Sequence, residues 1–257
     1  MKGKVALITG SATGLGKMTA LSLARQGCHI AVNYVNSQAQ AESLCREIQK
    51  FGVSSISVQA DITDEQQLYS LVDTTEQQLG TVDILVNNAG PYIHERRLFA
   101  DYSRDEIVRL VNGNLTGVML LDHRVLPAMR EKKWGRIIHF GFGHAVEARA
   151  WPHRAVYAAA KVGLVSFTKT LAIEEAPHGI TVNMVCPGDI RGANKEKTIE
   201  EVTGVDDGLT PRGRSGSGED VARVIEFLCQ DRSDFLTGNM INVSGGLDPI
   251  RSRIKPE

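Results

Sequence analysis

A chain of 257 residues, 42% hydrophobic and 23% charged, has the makeup of a globular protein with a substantial core. Its net charge of −1 gives no basis for binding nucleic acid or an anionic membrane surface. The cysteines Cys28, Cys45, Cys186 and Cys229 lack metal-ligand spacing, and the apolar run after Met1 is too short for a signal peptide. Reduced core thiols, no metal, no membrane span and a cytoplasmic location are therefore expected.

Val5–Ala6–Leu7–Ile8 is a short continuous apolar run, as expected of a parallel strand buried on both faces. Gly10, Gly14 and Gly16 follow it, and helical periodicity then continues through Leu23 and Ala24. Glycines so placed permit a tight turn, close approach of backbone to a pyrophosphate, and a helix packed closely on its strand. The helix N-terminus then offers its amides to the phosphates. A second strand is read over His29 to Tyr34 and a second helix over Gln38 to Lys50. An acidic residue at the end of that strand would hold the 2′-hydroxyl of NAD. Asn33–Tyr34–Val35–Asn36–Ser37 stands there instead, so Asn36 and Ser37 could donate to a 2′-phosphate. NADP is favoured and NAD stays possible, since Thr13 stands where NADP users often carry a basic residue. Ser54 to Ala60 reads as strand three, ending at Asp61–Ile62, whose carboxylate suits an adenine amino group. Glu65 to Leu79 reads as a helix and Val82 to Val86 as strand four, leading into Asn87–Asn88–Ala89–Gly90. This βαβα alternation, without repeats or linker, predicts one α/β domain over 1–257: a doubly wound (Rossmann) parallel sheet with helices on both faces.

Further on, Tyr157 and Lys161 open an alanine-rich helical run, and i and i+4 share a helix face. A nearby ammonium favours phenolate, so the tyrosine is expected to titrate below its unperturbed value of about 10. Such a phenol can exchange a proton with a carbonyl or alcohol oxygen.

The chain resembles the short-chain dehydrogenase/reductases, and among them 3-oxoacyl-carrier-protein reductases. The resemblance rests on Gly10, Gly14 and Gly16, Asp61–Ile62, Asn87 to Gly90, Asn114–Leu115–Thr116–Gly117, Tyr157 and Lys161, Pro187–Gly188, and the terminal run from Leu236 to Gly246. It implies a seven-stranded sheet, hydride transfer between a nicotinamide and a carbonyl or secondary alcohol, and a homotetramer. It assigns the acid/base to Tyr157, the nicotinamide ribose and pKa control to Lys161, and a water relay to Asn114. Cofactor contacts are implied at Thr13, Leu15, Asn88, Ala89, Gly90, Pro187, Gly188 and Ile190, and a substrate lid over 192–215. Gly192 stands where the family usually has a cofactor-contacting threonine.

One family residue is missing, the serine after strand five that donates to the substrate oxygen. Counting along Gly135 to Phe140 places Phe142 there, whereas counting back from Tyr157 places His144 there. No Ser or Thr lies between Gly135 and Val156, which leaves His139, His144, Arg149, Trp151, His153 and Arg154 as donors. His144 is the candidate replacement. The alternative is a dinucleotide-binding protein with little or no turnover, serving as a sensor or partner subunit. Arg96–Arg97 read as a solvated pair beside the substrate pocket.

Overall fold

The structure is a computed structural model that describes residues 1–248 and 250; the charged tail 251–257 lies outside them. Seven parallel strands form one sheet in the order β3-β2-β1-β4-β5-β6-β7. They are β1 (Val5–Ile8), β2 (His29–Tyr34), β3 (Ser55–Gln59), β4 (Ile84–Asn87), β5 (Gly135–Phe140), β6 (Ile180–Pro187) and β7 (Met240–Val243). The expected architecture is thus present. β1 pairs with β2 on one side and β4 on the other, so the chain reverses its winding there. Ligand crevices open at such switch points, beyond the carboxyl ends of the strands.

The connections are α1 (Gly14–Arg25), α2 (Gln38–Gln49), α3 (Glu65–Leu79), α4 (Arg104–Val111), α5 (Gly117–Lys132), α6 (Ala155–Glu175), α7 (Ile199–Val202) and α8 (Gly218–Cys229). Strand alternation sorts the core into two layers. Ala6 and Ile8 face Leu21, Leu23, Ile225 and Leu228 of α1 and α8, whereas Leu7 faces Leu68 and Leu71 of α3 and Leu121 and Val125 of α5. Each such fully buried leucine or isoleucine contributes about 2–3 kcal/mol. Helix starts are fixed by side chains: Asp64 accepts from the Gln67 amide, and Ser103 and Ser217 form capping boxes with Glu106 and Asp220.

One feature departs from expectation. The segment Ala155–His178 is long and apolar enough to cross a membrane, contrary to the expectation that no stretch would be. Here it lies on the sheet, with Leu164, Val165, Leu171 and Ala172 buried.

Candidate active site

The loop between β1 and α1 is held from three sides. Gly10 donates its amide to Asn33 Oδ1 at 2.9 Å, and Asn88 Nδ2 donates to the carbonyls of Thr9 and Gly10 at 2.8 and 3.0 Å. The Ala89 amide donates to Thr9 Oγ1 at 3.0 Å. Gly10 and Gly14 adopt φ of +60° and +64°, a region that favours glycine. A Cβ on Gly16 would lie 2.7 Å from Asn88 Nδ2 and from the Gly10 carbonyl, which makes that position glycine-only. No side chain caps α1 from Thr13. Instead Glu196, from the segment after β6, accepts the Gly14 amide at 2.8 Å and pairs with Lys17 Nζ at 2.8 Å.

Across the switch point, Asn114 sits in a π-turn, Asn112–Thr116, that joins α4 to α5. Such turns are frequent at functional sites, because the extra residue turns a side chain out of the helix register. Asn114 Nδ2 donates to the carbonyls of Pro91 and Leu110 at 2.8 and 3.0 Å. Its Oδ1 is buried and without a partner among the described residues. A Cβ on Gly90 would lie 2.4 Å from that oxygen and 3.7 Å from Lys161 Nζ, so Gly90, Asn114 and Lys161 enclose one small space. Lys161 Nζ donates to the Phe140 carbonyl at 2.8 Å and stands 5.9 Å from the Tyr157 ring centre.

The expected phenolate is corrected. Desolvation in the cleft wall, followed by Tyr92 and Cys186, pushes the Tyr157 phenol above its ordinary range. Burial also drives the Lys161 ammonium down to about 8. The lysine hydrogen-bonds to a main-chain carbonyl, so desolvation outweighs its attraction for a phenolate.

A cleft of about 730 Å³ joins the two halves. Of the cofactor candidates it is lined by Thr13, Gly14, Leu15, Asn88, Gly90, Pro187, Gly188 and Ile190, and of the catalytic candidates by Asn114, Tyr157 and Lys161. Gly10, Gly16 and Ala89 lie beneath this lining, in the contacts described above. Asn36 is exposed just beyond the carboxyl end of β2, and Ser37 precedes α2 without capping it. The Asp61 carboxylate accepts from the amide and hydroxyl of Thr63, and Ile62 is buried against Leu121 and its neighbours.

Where the strand-based count expects the family serine, the cleft has an aromatic wall. Phe142 lines the cleft with its ring centre 6.3 Å from that of Tyr157 and 4.8 Å from Trp151. Trp151 lies 6.1 Å from Tyr157 on the same scale. Of the two residues those counts reach, Phe142 is the one that lines the cleft. His144 is not brought to Tyr157: among the described residues it is absent from the lining, and its Nδ1 pairs with Glu147 at 2.7 Å. Its left-handed backbone, φ +64°, turns it into a short turn held to Asn242 by its own amide. His139 is a core residue of β5. Its Nε2 lies 2.8 Å from Asp122 Oδ2, Asn87 donates to the other carboxylate oxygen, and Thr168 Oγ1 lies 2.8 Å from Nδ1. Arg149 pairs with Glu147 and Asp248, and Arg97 with Glu106, while Arg96 is exposed.

Sequence reasoning missed Tyr92, His94 and Lys195 in the lining and Glu196 on the glycine loop. Tyr92 follows Gly90 by two residues, a spacing that could have flagged it. Glu196 carried no signal, because its contact joins residues 182 apart.

The family model described as Enoyl-(Acyl carrier protein) reductase matches residues 10–248. The chain is 45% identical to "Putative oxidoreductase YtkK" of Bacillus subtilis (strain 168), over 95% of this chain and 96% of the relative. It is 35% identical to the 3-oxoacyl-[acyl-carrier-protein] reductase FabG of Staphylococcus aureus (strain Mu50), over 95% and 98%. Among solved structures, a 3-oxoacyl-reductase titled "putative" from Bacillus thuringiensis superposes with TM-score 0.89 at 44% identity, over 96% of this chain and 99% of that one. A blue fluorescent protein from a metagenomic library, solved with NADPH, superposes with TM-score 0.83 at 31% identity, over 95% and 98%. With the glycine loop, the Asn-Asn-Ala-Gly turn and the Tyr157–Lys161 pair on one cleft, the chain belongs to the short-chain dehydrogenase/reductase family of oxidoreductases.

Proposed function

We propose that the protein is an NADP(H)-dependent reductase of small carbonyl compounds, of the 3-oxoacyl type. The observation that carries this reading is the enclosure formed by Gly90, Asn114 and Lys161, with a buried, unpartnered Asn114 oxygen facing the cleft that Tyr157 lines. A buried acceptor without a partner is costly, and a bound ribose hydroxyl or water would satisfy it. The glycine loop, with Gly14 and Leu15 at its mouth, fits a pyrophosphate by the same steric logic. A nicotinamide bound there would give or take the hydride. Tyr157, held protonated by its raised pKa, orients the substrate oxygen and supplies its proton in the reducing direction. Lys161 holds the ribose and returns a proton towards Tyr157, and Asn114 keeps a water in line behind it.

NADP is preferred over NAD because 34–37 contains no carboxylate to repel a 2′-phosphate, and the NADPH-bound relative supports this. Asn36, Ser37 and Asp61 would hold the adenosine end. The segment 192–215 acts as a substrate lid. A homotetramer is supported by α6, which is apolar beyond the one face that packs on the sheet, less than half of its most apolar window being buried; light scattering at about 28 kDa would refute it. Phe142 in the serine position favours a second reading, a dinucleotide-binding protein with little turnover.

NADPH consumption with ketones, diketones and acetoacetyl thioesters separates the two readings. Turnover that Tyr157→Phe abolishes establishes the enzyme, whereas binding without turnover establishes the alternative. Calorimetry showing NADH tighter than NADPH by tenfold, about 1.4 kcal/mol, would reject the cofactor preference.

A further inference from the structure

Carbonyl reduction builds negative charge on the substrate oxygen, and one phenol seldom stabilises it alone; a second donor is worth about 10²–10³ in rate. Phe142 offers no donor at the position where the strand count seeks one. The cleft does offer another phenol, Tyr92, packed against Tyr157. The Tyr92 ring meets the Tyr157 ring edge-on, with centres 5.0 Å apart and planes at 86°, closer than either Phe142 or Trp151.

Tyr92 is mounted rigidly. The Pro91 carbonyl just before it is gripped by Asn114 Nδ2 at 2.8 Å. Its own oxygen accepts Arg154 Nε at 2.7 Å. Arg154 is buried, and its remaining bonds reach main-chain carbonyls on both sides of the cleft: Glu95 at 2.9 Å, His94 at 2.9 Å and His153 at 2.7 Å. A positive φ at His153, +68°, precedes this arginine, a conformation uncommon for a residue with a side chain. The guanidinium thus ties the loop after β4 to the loop before α6 and aims its Nε at one phenol oxygen.

The hydrogen-bond inventory then decides what Tyr92 can do. A phenol has one proton to donate and accepts through its oxygen. Arg154 uses the acceptor side, and among the described residues nothing takes the proton. Accepting a charge-assisted bond also polarises the O–H and makes it a stronger donor. We infer that Tyr92 is a second catalytic donor to the substrate carbonyl oxygen, doing what a serine at position 142 would do, with Arg154 as its positioning residue. This rests on the carbonyl-reductase reading above. In the step, a bound reduced nicotinamide would supply the hydride to the carbonyl carbon as the C=O π pair moves to oxygen. Tyr157 gives its proton to that oxygen, while Tyr92 donates a hydrogen bond and keeps its own proton.

The test compares Tyr92→Phe, Trp151→Phe, Tyr157→Phe and the double variant Tyr92→Phe/Phe142→Ser, using NADPH with an acetoacetyl thioester and diacetyl. Tyr92→Phe keeps the ring against Tyr157 and removes only the hydroxyl. The expected result is a kcat about 10²-fold lower, with NADPH affinity and KM unchanged, a melting temperature lowered because the buried Arg154 Nε loses its acceptor, and partial recovery of kcat in the double variant. A second readout needs no turnover. With NADP⁺ and a carbonyl-labelled acetoacetyl thioester, difference infrared spectra should show the bound C=O stretch at higher frequency in Tyr92→Phe than in wild type. Unchanged kcat and stretch in Tyr92→Phe, or the same losses from Trp151→Phe instead, would overturn the assignment while leaving the Tyr157 reading intact. A wild type inactive on every carbonyl overturns both.

Discussion

Glu196 occupies the amide that this fold offers to a phosphate. Its carboxylate accepts the Gly14 N–H at the start of α1 and pairs with Lys17, each at 2.8 Å. Burial raises its pKa, but the Lys17 and Gly14 bonds outweigh that and hold the carboxyl below its ordinary range, so it is ionised at neutral pH. A pyrophosphate bound at Gly14 must displace it. The Lys17–Glu196 pair is about one-third exposed on both sides, which limits the bridge to about 0.5 kcal/mol. The charge-assisted bond to Gly14, discounted for the same exposure, adds about 1 kcal/mol. Glu196→Ala should therefore tighten NADPH binding by about 1–1.5 kcal/mol, roughly five- to tenfold in Kd. Fluorescence titration of NADPH into the wild type and the variant at fixed ionic strength measures it directly. An unchanged or weaker Kd would show that Glu196 does not compete with the cofactor, and the displacement argument would fail.

Three further outcomes are expected. Lys161 is held down to about 8 from an ordinary 10.5, so between those values the unfolded chain binds more protons than the folded one and stability rises with pH. The stability of wild type minus that of Lys161→Met should climb by at most about 3 kcal/mol across that window in urea titrations, and a flat difference would refute the buried charge. The subtraction removes Cys28, whose thiol, raised to about 12 by burial, lowers stability as pH rises above about 9; Cys186, raised likewise but coupled to Lys161, cancels only in part and offsets some of the rise there. Asp122→Ala strands the buried His139 and Asn87 donors and should cost about 3–5 kcal/mol, seen as a melting point lower by about 6–20 °C; a loss under about 1 kcal/mol would mean the network is dispensable. Gly16→Ala places a methyl 2.7 Å from the Gly10 carbonyl, so NADPH binding should be lost and the urea midpoint lowered; retained binding would show the loop can move.

The sequence by itself determined the first four strands, the glycine loop and the Tyr157–Lys161 pairing, because these depend on short-range pattern: apolar runs for buried strands, glycines where a Cβ has no room, and i, i+4 spacing on a helix; the seven-strand count and Asn114 came through the resemblance alone. It also raised the question of position 142, since the absence of any hydroxyl from 135 to 156 is a property of the chain alone. Only the tertiary structure decided the answer. Whether Phe142 or His144 faces Tyr157 depends on three left-handed non-glycine residues, at 144, 148 and 153, whose sequence gives no turn signal. The charge state of Tyr157 likewise depends on desolvation by residues distant in sequence, Tyr92 among them, and that outweighed the lysine four positions away. The contacts Tyr92–Arg154 and Gly14–Glu196 span 62 and 182 residues. Spacing cannot reveal such pairs, because they exist only once the strands have brought the loops at their carboxyl ends together.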